Sequence, residues 1–543
     1  MATNKSSNNF LVQGGLLAFA SILVRLIGLL YRIPLTNIVG DEGMGYYSSA
    51  YLIYNIALLI SSYSLPLAVS KLVASRVIKN QYKNSFRIFI SALIFGSLIG
   101  LATSLIVYFG ADYFAINILK SPRTAMPLKI LAPTIFVFSI MGVLRGFFQG
   151  NNSMVQTSIS QIIEQIFNAI VSIVASYYLI KQYSLSVDSA AYGAAGATLG
   201  TLLGAIAALA FLIFVFVLNW NYIKSRVVND KTDHVDTYTF IIKMLIMTIV
   251  PAVLSQTVYQ LGSILDTSIF QHVMAGKGYN EAERNILLGI FNNKFRLLTN
   301  LPVSLATALA TAIVPSIVSS KTNGMMMELK NKISLGVKSV MIIALPCAAG
   351  FTVLASPILK LLFQDGGELP AQMLQVGSIA LVFYSYSTIT NGVLQGIDKM
   401  SKPVIHSSIG LVVHLIILYF LLKFTDLGVF ALIIVNIIFP LIISILNWIY
   451  IKKILEYRQE IKKTFIVPLI SSIIMGIVAG FTYKGIYSFI GINSISTLGA
   501  IAAAVIVYFA LLLLLKGISE EELYQLPKGD KIIKIARKLR LLR

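Results

Sequence analysis

Apolar stretches follow one another along almost the whole chain, separated by short polar connections. Each has the length of about 20 residues that a helix needs to cross a hydrocarbon core ~30 Å thick. Inside lipid a backbone must satisfy its own polar groups, so a spanning segment is either a helix or part of a closed barrel. The alternating pattern of membrane barrel strands is absent. Composition points the same way: 57% of the residues are apolar and 12% charged, with a mean hydropathy of +0.82. Soluble domains carry roughly 25% charged residues. The predicted fold class is an all-α polytopic membrane protein.

About 14 spans are legible, near 10–38, 46–70, 88–110, 128–149, 155–180, 190–220, 240–268, 286–318, 336–359, 371–395, 403–423, 427–450, 464–488 and 494–516. Only the 221–239 connector and the C-terminal tail are long enough to hold structure outside the membrane, and neither can hold a catalytic domain. The first apolar run contains Arg25 and reads as a retained span rather than a cleaved signal peptide. Charge bias tests the count. With the N-terminus and every even-numbered connection placed on one side, that side carries 30 Lys and Arg and the other side nine. The positive-inside rule then puts both termini in the cytoplasm. The net charge of +21 is explained by these basic connections meeting anionic headgroups, and a nucleic-acid partner is not expected. One cysteine, Cys347, and four scattered histidines offer no disulfide framework and no metal site, and no cofactor is expected.

The chain repeats itself. Arg145-Gly-Phe-Phe-Gln-Gly150 with Met154 matches Asn391-Gly-Val-Leu-Gln-Gly396 with Met400; Leu65-Pro66 matches Leu301-Pro302, and Ile27-Gly28 matches Leu261-Gly262. These pairs relate spans 1–6 to spans 7–12. Six spans per unit is an even number, so the units share one orientation: a parallel repeat, with a site expected between the halves. The predicted organisation is an N-lobe over 1–225, a C-lobe over 226–455, two further helices over 456–516 and a cytoplasmic tail over 517–543. The tail opens on Ser519-Glu-Glu-Glu522, an N-cap signature, and then alternates Ile532, Ile535, Leu539 and Leu542 with lysines, which predicts a basic amphipathic helix on the inner leaflet.

Charges within spans are costly and ordinarily face a cavity. Arg25 and Arg32 lie seven residues apart in span 1, close to two helical turns, so they share a face. Lys294 and Arg296 stand in span 8. Glu164 in span 5 and Asp266 in span 7 oppose them. Four cations against two anions leave an excess that an anionic ligand would balance, and arginine's fork suits phosphate. The alternative is interhelical pairing of Arg25 with Glu164 and of Arg296 with Asp266, with Arg32 reaching outward to headgroups. Asn55, Asn168, Gln256, Gln260, Asn292, Asn293 and Asn300 are candidates for sugar hydroxyls, or for bonds between helices. Pro34, Pro66, Pro133, Pro251, Pro302, Pro315, Pro346 and Pro440 predict kinks. Gly193-Ala-Ala-Gly196 predicts close helix packing. No Walker sequence is present, so ATP chemistry within the chain is not expected.

Arg25-Leu-Ile-Gly-Leu-Leu-Tyr-Arg32 with Gly40-Asp-Glu-Gly43, Leu65-Pro-Leu-Ala-Val-Ser-Lys71, the Gln-Gly motifs and Leu526-Pro-Lys-Gly529 resemble the polysaccharide flippase branch of the multidrug/oligosaccharidyl-lipid/polysaccharide exporter superfamily. In particular they resemble the group of the stage V sporulation protein B and the lipid II flippases, over essentially the whole chain. That resemblance implies a two-lobed, 14-helix transporter in a bacterial cytoplasmic membrane, working by alternating access on an undecaprenyl-diphosphate-linked peptidoglycan precursor. It implies cavity arginines at Arg25 and Arg296, and a groove for the polyprenyl tail at spans 13 and 14. The chain departs from the group at Tyr31, where the lipid II branch has a second arginine, and at Gly45, acidic in some members.

The expected activity is a non-enzymatic flippase acting as a monomer. Its site would comprise Arg25, Arg32, Lys294, Arg296, Glu164 and Asn55. Asp266 is the candidate for a coupling cation, Na+ or H+, with membrane potential as the alternative drive. Runner-up substrates are teichoic acid or capsule precursors. A cation-coupled multidrug exporter would call for an acidic cavity.

Overall fold

The computed structural model describes residues 2–232, 235–520, 533–534 and 537–538, with side chains placed except at 2–19, 21, 22, 251, 252 and 254–259. Among the described residues every regular element is helical. The order begins α1 (Ala2–Leu58), a π turn (Leu59–Tyr63), α2 (Leu65–Val77), α3 (Tyr82–Tyr113), a second π turn (Phe114–Ile118) and a 3-10 turn (Pro122–Thr124). Then come α4 (Ala125–Gly150), α5 (Val155–Gln182), α6 (Ser189–Leu218), α7 (Trp220–Val228), α8 (Tyr238–Gly276) and α9 (Glu281–Ile290). A π turn (Phe291–Phe295) leads into α10 (Arg296–Thr322), α11 (Met326–Val353), α12 (Ala355–Phe363), α13 (Glu368–Gly377) and α14 (Ala380–Gly396). The chain closes with α15 (Ser401–Phe424), α16 (Val429–Leu455), a π turn (Lys462–Ile466), α17 (Val467–Ile490) and α18 (Asn493–Leu514).

Eleven described stretches are long and apolar enough to cross a membrane, with spans 1 and 2 counted as one because helix runs through both. α8 and the broken pair α13 and α14 supply the remaining two spans read from the sequence. The protein is thus a polytopic all-α membrane protein. The predicted tail helix lies almost wholly outside the described residues; within them, Ile533 is buried and Arg537 pairs with Glu520 at 2.9 Å.

Two compact units divide the chain, Met1–Asn293 and Lys294–Arg543. The division falls inside span 8, at its π turn, and so differs from the repeat boundary at 225/226. The reason is packing: α9, the first half of span 8, lies on α1. A Cβ at Gly45 would come 2.0 Å from the Asn285 carbonyl oxygen, and one at Gly289 would come 1.9 Å from that of Asp41. Asn293 Nδ2 donates to the Met44 carbonyl at 3.0 Å. A capping box at Asn280 and Glu283 starts α9. The turn between spans 1 and 2 is made by Gly40 at φ +74°, where a side chain would be strained.

The first unit holds α5 against α6 through small residues. A Cβ on Gly196 would reach 2.5 Å from Ser176 N and one on Gly200 2.1 Å from Ser172 Oγ, while Ser172 and Ser176 donate across to Ala197 and Gly193 carbonyls. This is the close packing expected of Gly193-Ala-Ala-Gly196. The connections of this unit sort to two ends as the charge tally requires. Arg123 pairs with Asp188 at 2.6 Å and with Glu281 at 3.6 Å, gathering three odd-numbered connections. At the even-numbered ones, Lys83 N donates to Asp230 at 2.6 Å and Arg76 pairs with Asp236 at 2.7 Å.

The repeat motifs turn out to be packing sites. In the first unit Gly146 and Gly150 press on Pro66, Val69 and Val73 of α2; in the second, Gly392 and Gly396 press on Ala310, Val314 and Ile317 of α10. Each Gln-Gly helix therefore packs on the Leu-Pro helix of its own unit. A π turn precedes the Leu-Pro pair in both cases. Pro34, Pro133, Pro302, Pro315, Pro346 and Pro440 sit inside helices, whereas Pro66 opens α2. The side chain of Pro251 lies outside the described residues.

Candidate functional site

In the first unit, α1 carries Arg25 and Arg32. Arg25 is exposed and makes no ion pair or hydrogen bond with a described residue. Pairing with Glu164, one of the alternatives read from the sequence, is not found. Glu164 is held instead by Arg145, whose Nη2 lies 2.8 Å from Oε2 and whose Nε donates to Ser160 Oγ at 2.9 Å. The 30-to-nine tally assigns Arg145, at the end of span 4, and Arg284 to connections, yet Arg145 is 8% exposed within α4. Arg284 is 6% exposed and donates to the Gln271 carbonyl and side chain at 2.9 and 2.8 Å.

Arg32 lies among tyrosine hydroxyls, those of Tyr31, Tyr47 and Tyr51. Tyr51 bonds Thr201, which donates to Asn168 Oδ1 at 3.4 Å; Asn168 in turn donates to the Tyr31 hydroxyl at 3.5 Å. Among the described residues this cluster of α1, α5 and α6 contains no carboxylate. Its phenols are neutral donors and acceptors, able to orient the guanidinium without cancelling its charge. Asn55, half-buried in α1, bonds no described residue. Asn168, Asn292 and Asn293 take the interhelical role: the latter two donate to Ser48 Oγ and the Met44 carbonyl. The Gln256 side chain lies outside the described residues. Asp266 is half-buried in α8.

In the second unit Lys294 is 5% exposed and its Nζ lies 2.6 Å from Asp365 Oδ2. Asp365 follows α12. Burial acts to raise its pKa, but the Lys294 ammonium and the Gly367 N–H outweigh that and hold it below the usual carboxylate range. Lys294 is therefore a matched charge rather than part of an unmatched excess. Arg296, the first residue of α10, is half-buried. An apolar groove of about 500 Å³ runs between α11–α12 and α17, lined by Val353, Pro357, Ile477, Phe481 and Lys484. Its walls are spans 9 and 13.

Three features escaped the sequence reading. The Arg145–Glu164 pair escaped because Arg145, four residues before the end of span 4, is tallied with the connection that follows. The tyrosines were legible in part, since Tyr47, Tyr51 and Tyr54 recur at helical spacing and so share a face, but the break at Gly40 hid which way that face turns relative to Arg32. Asp365 had no signal, being 71 residues from Lys294.

The fold and these intramembrane cations define a multi-pass membrane protein of transporter architecture. Sequence comparison sharpens this: the profile of the polysaccharide biosynthesis protein family matches residues 11–321, and the chain belongs to that family. A MatE profile matches residues 288–420. Two relatives from Bacillus subtilis (strain 168) are the lipid II flippase MurJ, 25% identical over 85% of this chain and 86% of its own, and stage V sporulation protein B, 22% identical over 97% and 99%. Among solved structures, lipid II flippase MurJ in an inward closed conformation aligns at a TM-score of 0.64 with 18% identity, covering 91% of this chain and 97% of its own. An inward-facing multidrug resistance MATE family transporter aligns at 0.60 with 16% identity, covering 80% and 95%. These likenesses establish the superfamily fold.

Proposed function

We propose that this protein flips a lipid-linked anionic sugar, an undecaprenyl-diphosphate-linked peptidoglycan precursor of the lipid II type, from the inner to the outer leaflet of a bacterial cytoplasmic membrane. The observation that carries the reading is charge without a counter-charge. Glu164 is spent on Arg145 and Asp365 on Lys294, while Arg25 and Arg32 share a face of α1 with no carboxylate partner among the described residues. A charged side chain at mid-membrane costs roughly 3 kcal/mol or more unless something compensates it. A diphosphate supplies that compensation and suits arginine's paired donors. In the first unit Arg25 and Arg32 are the diphosphate ligands and Asn55 offers its amide to the sugar; in the second, Arg296 is a further substrate-binding cation and the groove beside α17 takes the polyprenyl tail. Asp266 binds the coupling cation that resets the carrier. The relatives named as a lipid II flippase and a sporulation protein support this substrate class.

The test is complementation. Arg25→Ala and Arg296→Ala, expressed at wild-type level, are expected to fail in a strain depleted of its lipid II flippase that the wild-type chain rescues. Rescue by both variants would overturn the role of these arginines.

A further inference from the structure

The first unit contains a cavity with a mixed polar and aromatic lining, not lined by Arg25 or Arg32, at the end where the even-numbered connections gather. Its volume is about 220 Å³, well above the ~10–15 Å³ that one water requires. The walls come from the start of α3, the end of α4, the start of α5 and one face of α7, the short helix that follows α6. Phe86, Phe147, Phe148 and Tyr82 make an aromatic floor, and Arg226 of α7 stands at the rim.

Arg226 is held in an unusual way. Its guanidinium lies 3.8 Å from the Tyr82 ring centre and 5.3 Å from that of Tyr222, and it makes no ion pair with a described residue. Rings occupy the faces of the guanidinium and leave its edges, where the N–H groups are, unspent. Donors are left at Ser85 and Gln156, while Asn151 and Asn219 give their amide N–H groups to the Phe147 and Val215 carbonyls and leave their side-chain oxygens; the one charged side chain among the described lining residues is Arg226, and no carboxylate lines the cavity with it. Ser85, 3% exposed, lines the cavity with a hydroxyl that bonds nothing described. Gln156 uses its side-chain oxygen to accept from Ser153, leaving its amide N–H groups to the cavity. α7 is not a loose flap. The connector that carries it is tied down by Lys83 N to Asp230 at 2.6 Å, by Asp236 N to Asn84 at 2.9 Å and by the Arg76–Asp236 pair.

A buried hydroxyl, an amide and a pre-stacked guanidinium converging on one aromatic-walled cavity form an anion receptor. We propose that it binds a phosphate-bearing anion, taken either from the headgroup of an anionic membrane lipid or from solution. This site is separate from the one invoked for flipping and stands whether or not that reading holds.

The reporter is built in. Trp220 opens α7 and packs on Phe86, 6.0 Å between ring centres, and the only other tryptophan is Trp448. In full-length Trp448→Phe protein in neutral detergent, Trp220 emission would be followed during titration with short-chain phosphatidylglycerol, short-chain diacylglycerol and inorganic phosphate. The expected result is a saturable change with a phosphate compound and none with diacylglycerol. Arg226→Gln should weaken it at least tenfold and Arg226→Lys less. Saturation by the lipid alone assigns a headgroup; saturation by inorganic phosphate as well assigns a soluble ion. Should Arg226→Gln misfold, Ser85→Ala and Gln156→Ala carry the test, each with a several-fold loss. Equal affinity in wild type and the variants, or no saturation by either phosphate compound, overturns the proposal.

Discussion

Single residues separate structural charges from functional ones. Lys294 and Arg296 are two positions apart, yet Lys294 is spent on Asp365, whereas Arg296 is proposed for substrate. Lys294→Met should therefore lower the thermal unfolding temperature, by the equivalent of about 2 kcal/mol for a lost charged hydrogen bond, with recovery in the Lys294→Met, Asp365→Asn double variant. Arg145→Leu should behave alike, because it strands Glu164, and Glu164→Gln should restore much of the loss. If neither second substitution rescues its partner, the pairs are not what holds these residues. Spacing cannot reveal such pairs: one joins two consecutive helices across their connection and the other joins residues 71 positions apart, so the sequence showed the six charges within its spans but not who neutralises whom.

Elements show where hydropathy reading stops. Fourteen apolar runs were legible because lipid demands length and apolarity of every span. The breaks within them were not, since the π turns at Leu59–Tyr63 and Phe291–Phe295 are made of residues as helix-compatible as their neighbours. The glycine crossing of α1 and α9 was equally silent, for Gly45 and Gly289 are 244 positions apart. Gly289→Ala should drive the Asp41 carbonyl away and cost about 1–3 kcal/mol, an overpacking penalty readable by thermal unfolding. The connector offers a pH test. Burial acts to raise the Asp230 pKa, but hydrogen bonds from Thr232 and the Lys83 N–H outweigh it and hold the carboxyl below its ordinary value. A depressed folded pKa gives stability that is present above the unfolded value of ~3.9 and is lost as pH falls through the folded one. The α7 tether should thus loosen in acid, seen as a shift in Trp220 emission below about pH 4 that Asp230→Asn removes.

At the scale of the molecule, the internal repeat was legible because each Gln-Gly helix must fit a Leu-Pro helix, and close packing tolerates few residue types. The division into compact units was not, because it cuts span 8 at a π turn instead of falling in a connection. That one span brings α9 to the first unit and Arg296 to the second. The central claim is that unmatched arginines receive a lipid-linked diphosphate. It is tested most directly by reconstituting the wild type and Arg25→Ala in liposomes with lipid II in the inner leaflet and scoring its appearance outside. The account predicts protein-dependent flipping by the wild type and its loss in Arg25→Ala at equal incorporation. Equal flipping by the two would contradict it.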